Sequence, residues 1–142
     1  EDIDAICDTV GTAGTLMGIA KAFKENKTKI IAVEPSSSPI LSKGVKGSHN
    51  VEGVGLGFIP AIYNAKLVDE VITIKESRAR QTSRDLALKE GIFCGTSSGM
   101  NVAAAIDISK KLGPRSKVVA IACDTGLKYL SEGLFDNKKG ES

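Results

Sequence analysis

Short apolar runs alternate with helical stretches along this chain, and that alternation restricts its possible folds more than any other feature. The apolar runs, which are the predicted strands, cover residues 3–10, 29–34, 67–74, 92–94 and 117–123. The predicted helices cover residues 16–24, 76–90 and 101–112, with a short helix at 129–135. Strands that alternate with helices build a parallel sheet whose faces the helices cover. We therefore expect an α/β fold with a mostly parallel sheet.

Glycine and proline mark the ends of several of these segments. Pro35 stops the second apolar run, and Gly91 is expected to end the long helix in the left-handed conformation. Gly113 and Pro114 end the alanine-rich helix. Five glycines lie within residues 43–60, which predicts a mobile and mostly irregular loop.

Length and charge indicate one globular domain without a polyanionic or lipid partner. The 142 residues, 42% of them hydrophobic, suit one domain over residues 1–135, followed by a polar tail at 136–142 that is expected to fray. The 19 basic and 17 acidic residues leave a net charge of +2 with no long run of one sign before the tail. We therefore expect no nucleic-acid partner. No apolar run approaches the roughly 20 residues that span a bilayer, so we expect no membrane insertion either.

The three cysteines indicate a reducing compartment. Cys7, Cys94 and Cys123 are far apart, and each lies in an apolar stretch. This spacing fits neither a disulfide framework nor a zinc cluster. We expect reduced, buried thiols in a cytoplasmic protein without a bound metal.

Three turns follow predicted strands, at residues 11–15, 95–99 and 124–126. In an open parallel sheet the strand ends lie at one edge, where ligands bind. The first turn combines two glycines, two threonine hydroxyls and the start of a helix, which together can bind a phosphate. It does not have the pattern of a dinucleotide-binding or P-loop motif. An ordinary turn and helix cap would use the same residues, so both interpretations stay open at this point.

A family resemblance extends this interpretation. Residues 10–15 read Val-Gly-Thr-Ala-Gly-Thr and resemble the Val-Gly-Thr-Gly-Gly-Thr phosphate loop of cysteine synthases (O-acetylserine sulfhydrylases) and their cystathionine β-synthase relatives. Other segments resemble the same family at similar spacing, and they are residues 32–35, 52–60, 69–71, 90–91, 95–99 and 129–131. The resemblance covers most of the chain.

The resemblance implies a partial type II pyridoxal-phosphate enzyme fold, with three layers in the order α/β/α. It implies that pyridoxal 5'-phosphate is bound through its phosphate by five residues of the first turn, namely Gly11, Thr12, Ala13, Gly14 and Thr15. Ser97 would then bond the pyridine nitrogen, although a helix cap would also explain this serine.

The implied reaction is β-replacement on an activated serine, which makes cysteine with sulfide. A hydroxyl does not hold the ring nitrogen protonated as a carboxylate would, so the ring is a weaker but sufficient electron sink. Gly53 and Gly55 would lie in a loop beneath the amino-acid substrate and allow it to close, whereas the alternative is a plain flexible connection. Cys123 and Asp124 would lie just outside the cofactor.

Several residues depart from the family pattern or have no clear part in it. Ala13 replaces the usual middle glycine, and a positive φ there would cost on the order of 1 kcal/mol. Cys123 stands where proline is common, and we interpret it as a small buried hydrophobe rather than a catalytic thiol. His49 is expected to pack in the loop, and Tyr129 is expected to pack at the domain surface.

The Schiff-base lysine of the family has no counterpart in this sequence, and neither does the asparagine-containing loop. The chain is therefore expected to be a fragment that is inactive alone and needs the complementary N-terminal portion of the enzyme, which would be a homodimer when complete. Cystathionine synthesis and serine or threonine dehydration are neighbouring possibilities. A module that binds phosphate ligands or docks a partner without catalysis is the alternative from a different class.

Overall fold

The computed structural model of the chain describes residues 2–136 and builds them around a parallel sheet. Four strands occur in this region, and they are β1 (Ala5–Thr9), β2 (Lys29–Pro35), β3 (Glu70–Ile74) and β4 (Val118–Ala120). Their spatial order is β3-β2-β1-β4, and every neighbouring pair is parallel. The α/β class with a parallel sheet is confirmed.

Four helices connect the strands and cover the sheet. They are α1 (Gly14–Ala22), α2 (Ile40–Lys43), α3 (Glu76–Asp85) and α4 (Thr96–Leu112). Two short 3-10 turns occur at Ala65–Leu67 and Gly126–Tyr129, and a π-helical turn at Leu86–Glu90 extends α3. Gly91 follows that turn with φ 68°, so the predicted left-handed end of the helix is confirmed.

The core is divided by the sheet into two clusters, because side chains of a strand alternate between its faces. Cys7 and Val33 pack with Met100 of α4 on one face. Ile30 and Ala32 pack with helix α1 on the other face. The predicted three-layer α/β/α architecture is therefore confirmed.

The contact between α3 and α4 is close enough to require a glycine. A Cβ added at Gly99 would lie 2.2 Å from the carbonyl oxygen of Ala79 and 2.2 Å from Oγ of Ser83. The Ser83 hydroxyl donates to the carbonyl oxygens of Ala79 and Gly95, so both helices share a buried polar contact at this crossing. This packing fixes the position of the first turn of α4 relative to α3.

Some predicted boundaries were wrong. Residues 92–94 form no strand, since only Cys94 pairs, in an isolated antiparallel bridge with Thr125. Helix α4 begins at Thr96 rather than at 101, so the predicted 95–99 turn is largely its first turn. Strand β4 ends at Ala120, and the predicted helix at 129–135 is a 3-10 turn at Gly126–Tyr129 followed by irregular turns. A short apolar run looks the same in a sequence whether or not a neighbouring strand pairs with it. A serine-rich helix start likewise looks like a turn.

Two further expectations concern the ends and the membrane. The predicted tail at 136–142 lies outside the described residues, apart from Asp136. Within residues 2–136, no helix combines the length and the apolar character that crossing a bilayer requires.

Candidate functional site

A cavity of about 460 Å³ lies beyond the ends of β1 and β4. The three predicted turns contribute to its walls, as expected for loops at one edge of a parallel sheet. Nine of the ten residues singled out in the sequence line it, and they are Gly11, Thr12, Ala13, Gly14, Thr15, Gly53, Ser97, Cys123 and Asp124. Gly55 does not line it and lies behind the first turn.

The start of α1 provides unpaired hydrogen-bond donors toward this cavity. The first backbone N–H groups of a helix have no acceptor within the helix. No side chain caps this end, where Ala13 is the N-cap residue. Gly14, Thr15 and Leu16 all line the cavity, so their N–H groups and the positive end of the helix dipole are available to an anion.

Ala13 adopts the left-handed conformation that the family glycine would favour. Its φ is 70° and its ψ is 4°. A positive φ at an alanine costs on the order of 1 kcal/mol of stability, and this cost therefore applies to Ala13. The methyl group is buried against Leu16 and Met17 in the α1 cluster, and this burial offsets part of the cost.

The glycine-rich loop lies directly on the first turn. A Cβ at Gly11 would lie 2.1 Å from the carbonyl oxygen of Gly53, so no other residue fits there without movement. The Gly55 N–H donates to the Val10 carbonyl over 3.0 Å. Gly55 therefore joins the loop to the turn instead of facing the cavity.

His49 holds this loop in place from outside the cavity. Its Nδ1 accepts from the Val51 N–H over 3.2 Å, which leaves Nε2 as the donor to the Gly55 carbonyl over 3.0 Å. Both ring nitrogens are used within the loop. This arrangement agrees with the predicted packing role.

Asp124 fixes the start of α4 and thereby the position of Ser97. Its carboxylate accepts from the Gly95 N–H over 3.1 Å and from the Ser98 hydroxyl over 3.2 Å. Ser98 Oγ in turn accepts from the Cys123 N–H over 2.9 Å. Ser97 is 5% exposed and lines the cavity at this helix end, where no side-chain cap bond is made.

Tyr129 belongs to this network, and the expectation that it packs at the surface was wrong. The side chain is 2% exposed, lines the cavity and donates a hydrogen bond to Asp124. Burial, together with this bond, raises the pKa of the phenol above its usual value. Tyrosine stays protonated near neutrality and remains a donor. The sequence signal was the nearby Asp124, whose carboxylate needed donors.

Asp8 was not recognised in the sequence as a site residue. It lies near the end of β1, is 3% exposed and lines the cavity. The Asn101 side-chain amide donates to Asp8 Oδ1 over 3.0 Å and to the Ile121 carbonyl over 2.8 Å. Burial raises the pKa of Asp8 to about 6. A lone acidic residue inside an apolar strand was the available signal.

Cys123 lies beside Asp8, and the expectation that it is buried was wrong. The residue is exposed, whereas Cys7 and Cys94 are buried as predicted. Its Sγ lies 3.9 Å from Asp8 Oδ1 and 3.5 Å from the side-chain nitrogen of Asn101. Partial burial of the thiol and the Asp8 charge raise its pKa. Since β4 ends three residues earlier, Cys123 lies in the loop and faces the cavity.

An ion pair joins the two rims of the cavity. Lys128 Nζ lies 3.0 Å from Glu52 Oε1, and both residues line the cavity. Glu52 precedes Gly53 in the glycine-rich loop, and Lys128 lies in the 3-10 turn after Asp124. The hydrogen bond to Glu52 raises the pKa of Lys128, so its amine stays protonated.

These features define a class of site. An uncapped helix start that can bind a phosphate shares a cavity with a second uncapped helix start that carries a serine hydroxyl. The cavity between them suits one small phosphorylated ring compound, because its 460 Å³ lies within the range of small-molecule sites. The residues present therefore fit a phosphorylated pyridine cofactor.

The family assignment agrees with this class. A family model described as pyridoxal-phosphate dependent enzyme matches residues 1–124, and the chain belongs to that family. Members named cysteine synthase are among its relatives, and the family uses pyridoxal 5'-phosphate.

Named relatives define the similarity further. The chain is 43% identical over 136 residues to cysteine synthase B of Campylobacter jejuni, a match that covers 94% of this chain and 45% of that protein. The crystal structure of a cysteine synthase from Entamoeba histolytica superposes with a TM-score of 0.89 at 37% identity, covering 99% of this chain and 43% of that one. A hydrogen sulfide-producing enzyme from Fusobacterium nucleatum gives a TM-score of 0.90 at 38% identity, covering 99% and 42%. The chain thus spans less than half the length of these relatives.

Proposed function

We propose that this chain is the portion of a cysteine synthase that holds pyridoxal 5'-phosphate, and that the whole enzyme makes cysteine from an activated serine and sulfide. The observation that carries the proposal is that the uncapped start of α1 and the Ser97 hydroxyl line one cavity. The cysteine synthases among the relatives support the choice of reaction.

Each part of the cavity has a role in this proposal. The N–H groups at the start of α1, with the Thr12 and Thr15 hydroxyls, bind the phosphate. The Ser97 hydroxyl donates to the ring nitrogen. When bound, the cofactor supplies an electron sink that lets a leaving group depart from the β-carbon of the amino acid.

The protein groups around the cofactor position it and exclude water. Asp124 and Tyr129 hold the first turn of α4 so that the Ser97 hydroxyl keeps one orientation. The absence of a side chain at Gly53 leaves space for the amino acid beside the first turn. Closure of this loop over the substrate would keep water from the reacting atoms.

No lysine of the described part of the chain is suited to form the Schiff base. Lys128 lines the cavity, but its amine is paired with Glu52 and its side chain is 57% exposed. A lysine that attacks a carbonyl must lose its proton, and desolvation is the usual cause of the required lower pKa. Glu52 raises the pKa of Lys128 instead. We therefore expect the complementary N-terminal portion to supply the lysine, in an enzyme that is a homodimer when complete.

An activity assay tests this division of labour. The chain is incubated with pyridoxal 5'-phosphate, O-acetylserine and sulfide, alone and after mixing with the N-terminal portion of a relative, and cysteine is quantified by chromatography. We expect no cysteine above the protein-free control from the chain alone and measurable formation from the mixture. Cysteine formation by the chain alone would overturn the assignment of the lysine to another portion.

A further inference from the structure

His49 connects both ends of the loop segment that lines the cavity. Residues 52–54 of the glycine-rich loop form this segment. The Val51 N–H, immediately before the segment, donates to His49 Nδ1 over 3.2 Å. His49 Nε2 lies 3.0 Å from the carbonyl oxygen of Gly55, immediately after the segment. One imidazole ring therefore bonds both residues that flank segment 52–54.

Gly55 links the imidazole to the first turn. Its N–H donates to the Val10 carbonyl over 3.0 Å, next to that turn. A Cβ added at Gly55 would lie 2.5 Å from His49 Nε2 and 3.3 Å from Cγ of Pro35, so the ring lies directly against this glycine. A displacement of the ring would therefore move the loop relative to the turn that is assigned to the phosphate.

The two hydrogen bonds require one protonation state of the ring. A backbone N–H can only donate, so Nδ1 must have a free lone pair to accept from Val51. A carbonyl oxygen can only accept, so Nε2 must carry the proton that it donates to Gly55. The neutral Nε2–H tautomer meets both conditions. A second proton on Nδ1 would place two N–H groups opposite each other and break the bond with Val51.

We propose that His49 is a positioning residue for the amino-acid substrate, whose neutral ring holds segment 52–54 against the first turn and whose protonation in acid releases that segment. This inference rests on the proposed function, which places the amino acid beside Gly53. Histidine is the side chain that ordinarily changes its charge between about pH 5 and 8. Release should weaken binding of the amino acid rather than of the phosphate, because the phosphate is assigned to the start of α1.

Other charged groups border the same loop. They are Lys43, Lys46 and Glu52 on the loop, Glu34 on β2, and Lys75 and Glu76 at the start of α3. Glu52 is paired with Lys128 at the rim of the cavity. Glu76 Oε2 accepts from the N–H of Asn50, the residue after His49, over 2.9 Å. The titration of Glu76 therefore has to be distinguished from that of the ring, and Glu76→Gln serves as the control.

NMR on the full chain tests the release without any ligand. His49 is the only histidine of the sequence, so its ring signals are unambiguous. We expect the ¹⁵N shifts of the neutral ring to show an unprotonated Nδ1. Protection of the Val51 and Gly55 amides from hydrogen exchange should fall about three- to tenfold in acid, in parallel with the ring titration. Glu76→Gln should retain this fall, and His49→Gln, which keeps a donor for Gly55 and does not titrate, should abolish it.

The wild type and Glu76→Gln are sufficient for this test if His49→Gln does not fold. A protonated Nδ1 in the neutral ring overturns the inference. A ring that titrates while both amides keep their protection overturns it as well, and so does a fall in protection that disappears in Glu76→Gln.

Ligand binding tests the link to the substrate. N-(5'-phosphopyridoxyl)-L-serine joins the cofactor covalently to an amino acid and needs no lysine, whereas pyridoxamine 5'-phosphate lacks the amino-acid part. Calorimetry gives the ratio of the two affinities at about pH 8 and about pH 5.5. We expect the preference of the wild type for the serine compound to fall about three- to tenfold in acid and that of His49→Gln to change less. The ionisation of the free ligands is the same for both proteins.

The outcomes separate this inference from the proposed function. A preference that does not fall in the wild type, or that falls equally in His49→Gln, overturns the role of His49 and leaves the proposed function standing. If neither compound binds the wild type, the proposed function and the substrate role of His49 fall together.

Discussion

Ionisation of the buried Asp8 carboxyl group lowers the stability of the folded chain. Burial raises its pKa from 3.8 to about 6, so the folded chain holds a proton that the unfolded chain releases between these pH values. Stability therefore falls as the pH rises through this interval, by about 2–3 kcal/mol when the interval is crossed. Above the folded pKa the full cost is present.

Asp8→Asn is expected to remove this cost. The amide is nearly the same size as the carboxyl group and does not ionise. Without cofactor, the variant should be more stable than the wild type by about 2 kcal/mol near neutral pH and similar near pH 4. Urea denaturation followed by circular dichroism at both pH values measures the difference.

Asp107→Asn serves as the control with the opposite sign. Its carboxylate pairs with Arg78 over 2.6 Å, and the hydrogen bond from Arg78 lowers its pKa. This variant should lose stability near neutral pH and lose less in acid. A difference between wild type and Asp8→Asn that does not depend on pH would contradict the account of Asp8.

At the residue scale, the sequence predicted backbone requirements better than side-chain partners. The substitution at Ala13 identified a position where a positive φ matters, because the neighbouring glycines define the turn. The partner of Asp8 could not be predicted, since Asn101 is 93 residues from Asp8 in the chain. The role of a buried polar side chain depends on which donor lies next to it in space.

At the scale of elements, the crossing of α3 and α4 positions Ser97. Gly99 is the contact point, and Ser83 bonds across it. Any increase in the distance between these helices would move the start of α4, which carries Ser97 into the cavity. The packing of two helices on the back of the sheet thus determines the geometry of the site.

Gly99→Ala should separate the two helices. Its Cβ would lie 2.2 Å from the Ala79 carbonyl oxygen, which cannot rotate away, so we expect a loss of about 2–3 kcal/mol in the free energy of unfolding. Gly18→Ala is the matched control in α1, because nothing lies within 4 Å of its Cβ. It should be neutral or stabilise by up to about 1 kcal/mol. Thermal denaturation measures the stability change in both variants. Equal changes in Gly99→Ala and Gly18→Ala would contradict the close crossing of α3 and α4.

The ion pair across the rims is expected to slow ligand release. Lys128→Gln should increase the release rate of pyridoxamine 5'-phosphate about two- to fivefold at low salt, and high salt should reduce the difference because the pair is exposed. Stopped-flow measurement gives the rates. Lys111→Gln removes a similar pair with Glu70 outside the cavity and should have no effect. A release rate for Lys128→Gln equal to that of the wild type would exclude this role.

Periodicity predicted the elements whose neighbours lie close in sequence. Strand β2 and helix α3 begin at the predicted residues, since both have long and regular patterns. Residues 92–94 have a short apolar pattern, yet Ile92 and Phe93 remain exposed and no strand forms. A three-residue run contains too little information to distinguish a strand from a loop.

At the scale of the whole molecule, the cavity unites segments that lie far apart in the sequence. Asp8 and Tyr129 are near opposite ends of the described chain, and the parallel order β2-β1-β4 places their loops at one edge. The general rule for open α/β sheets was sufficient to predict this convergence. The rule could not predict which side chains face inward, because loop conformation and packing determine that choice.

The binding selectivity of this cavity tests the central claim most directly. Isothermal titration calorimetry compares pyridoxamine 5'-phosphate with ribose 5-phosphate on the wild type, on Ser97→Ala and on Ser109→Ala, a control farther along the same helix. The account predicts that the pyridine compound binds the wild type at least about tenfold more tightly than the sugar phosphate, and that Ser97→Ala alone reduces this preference by about two- to tenfold. Equal affinity for the two phosphates, unchanged in Ser97→Ala, would show instead a general phosphate-binding module.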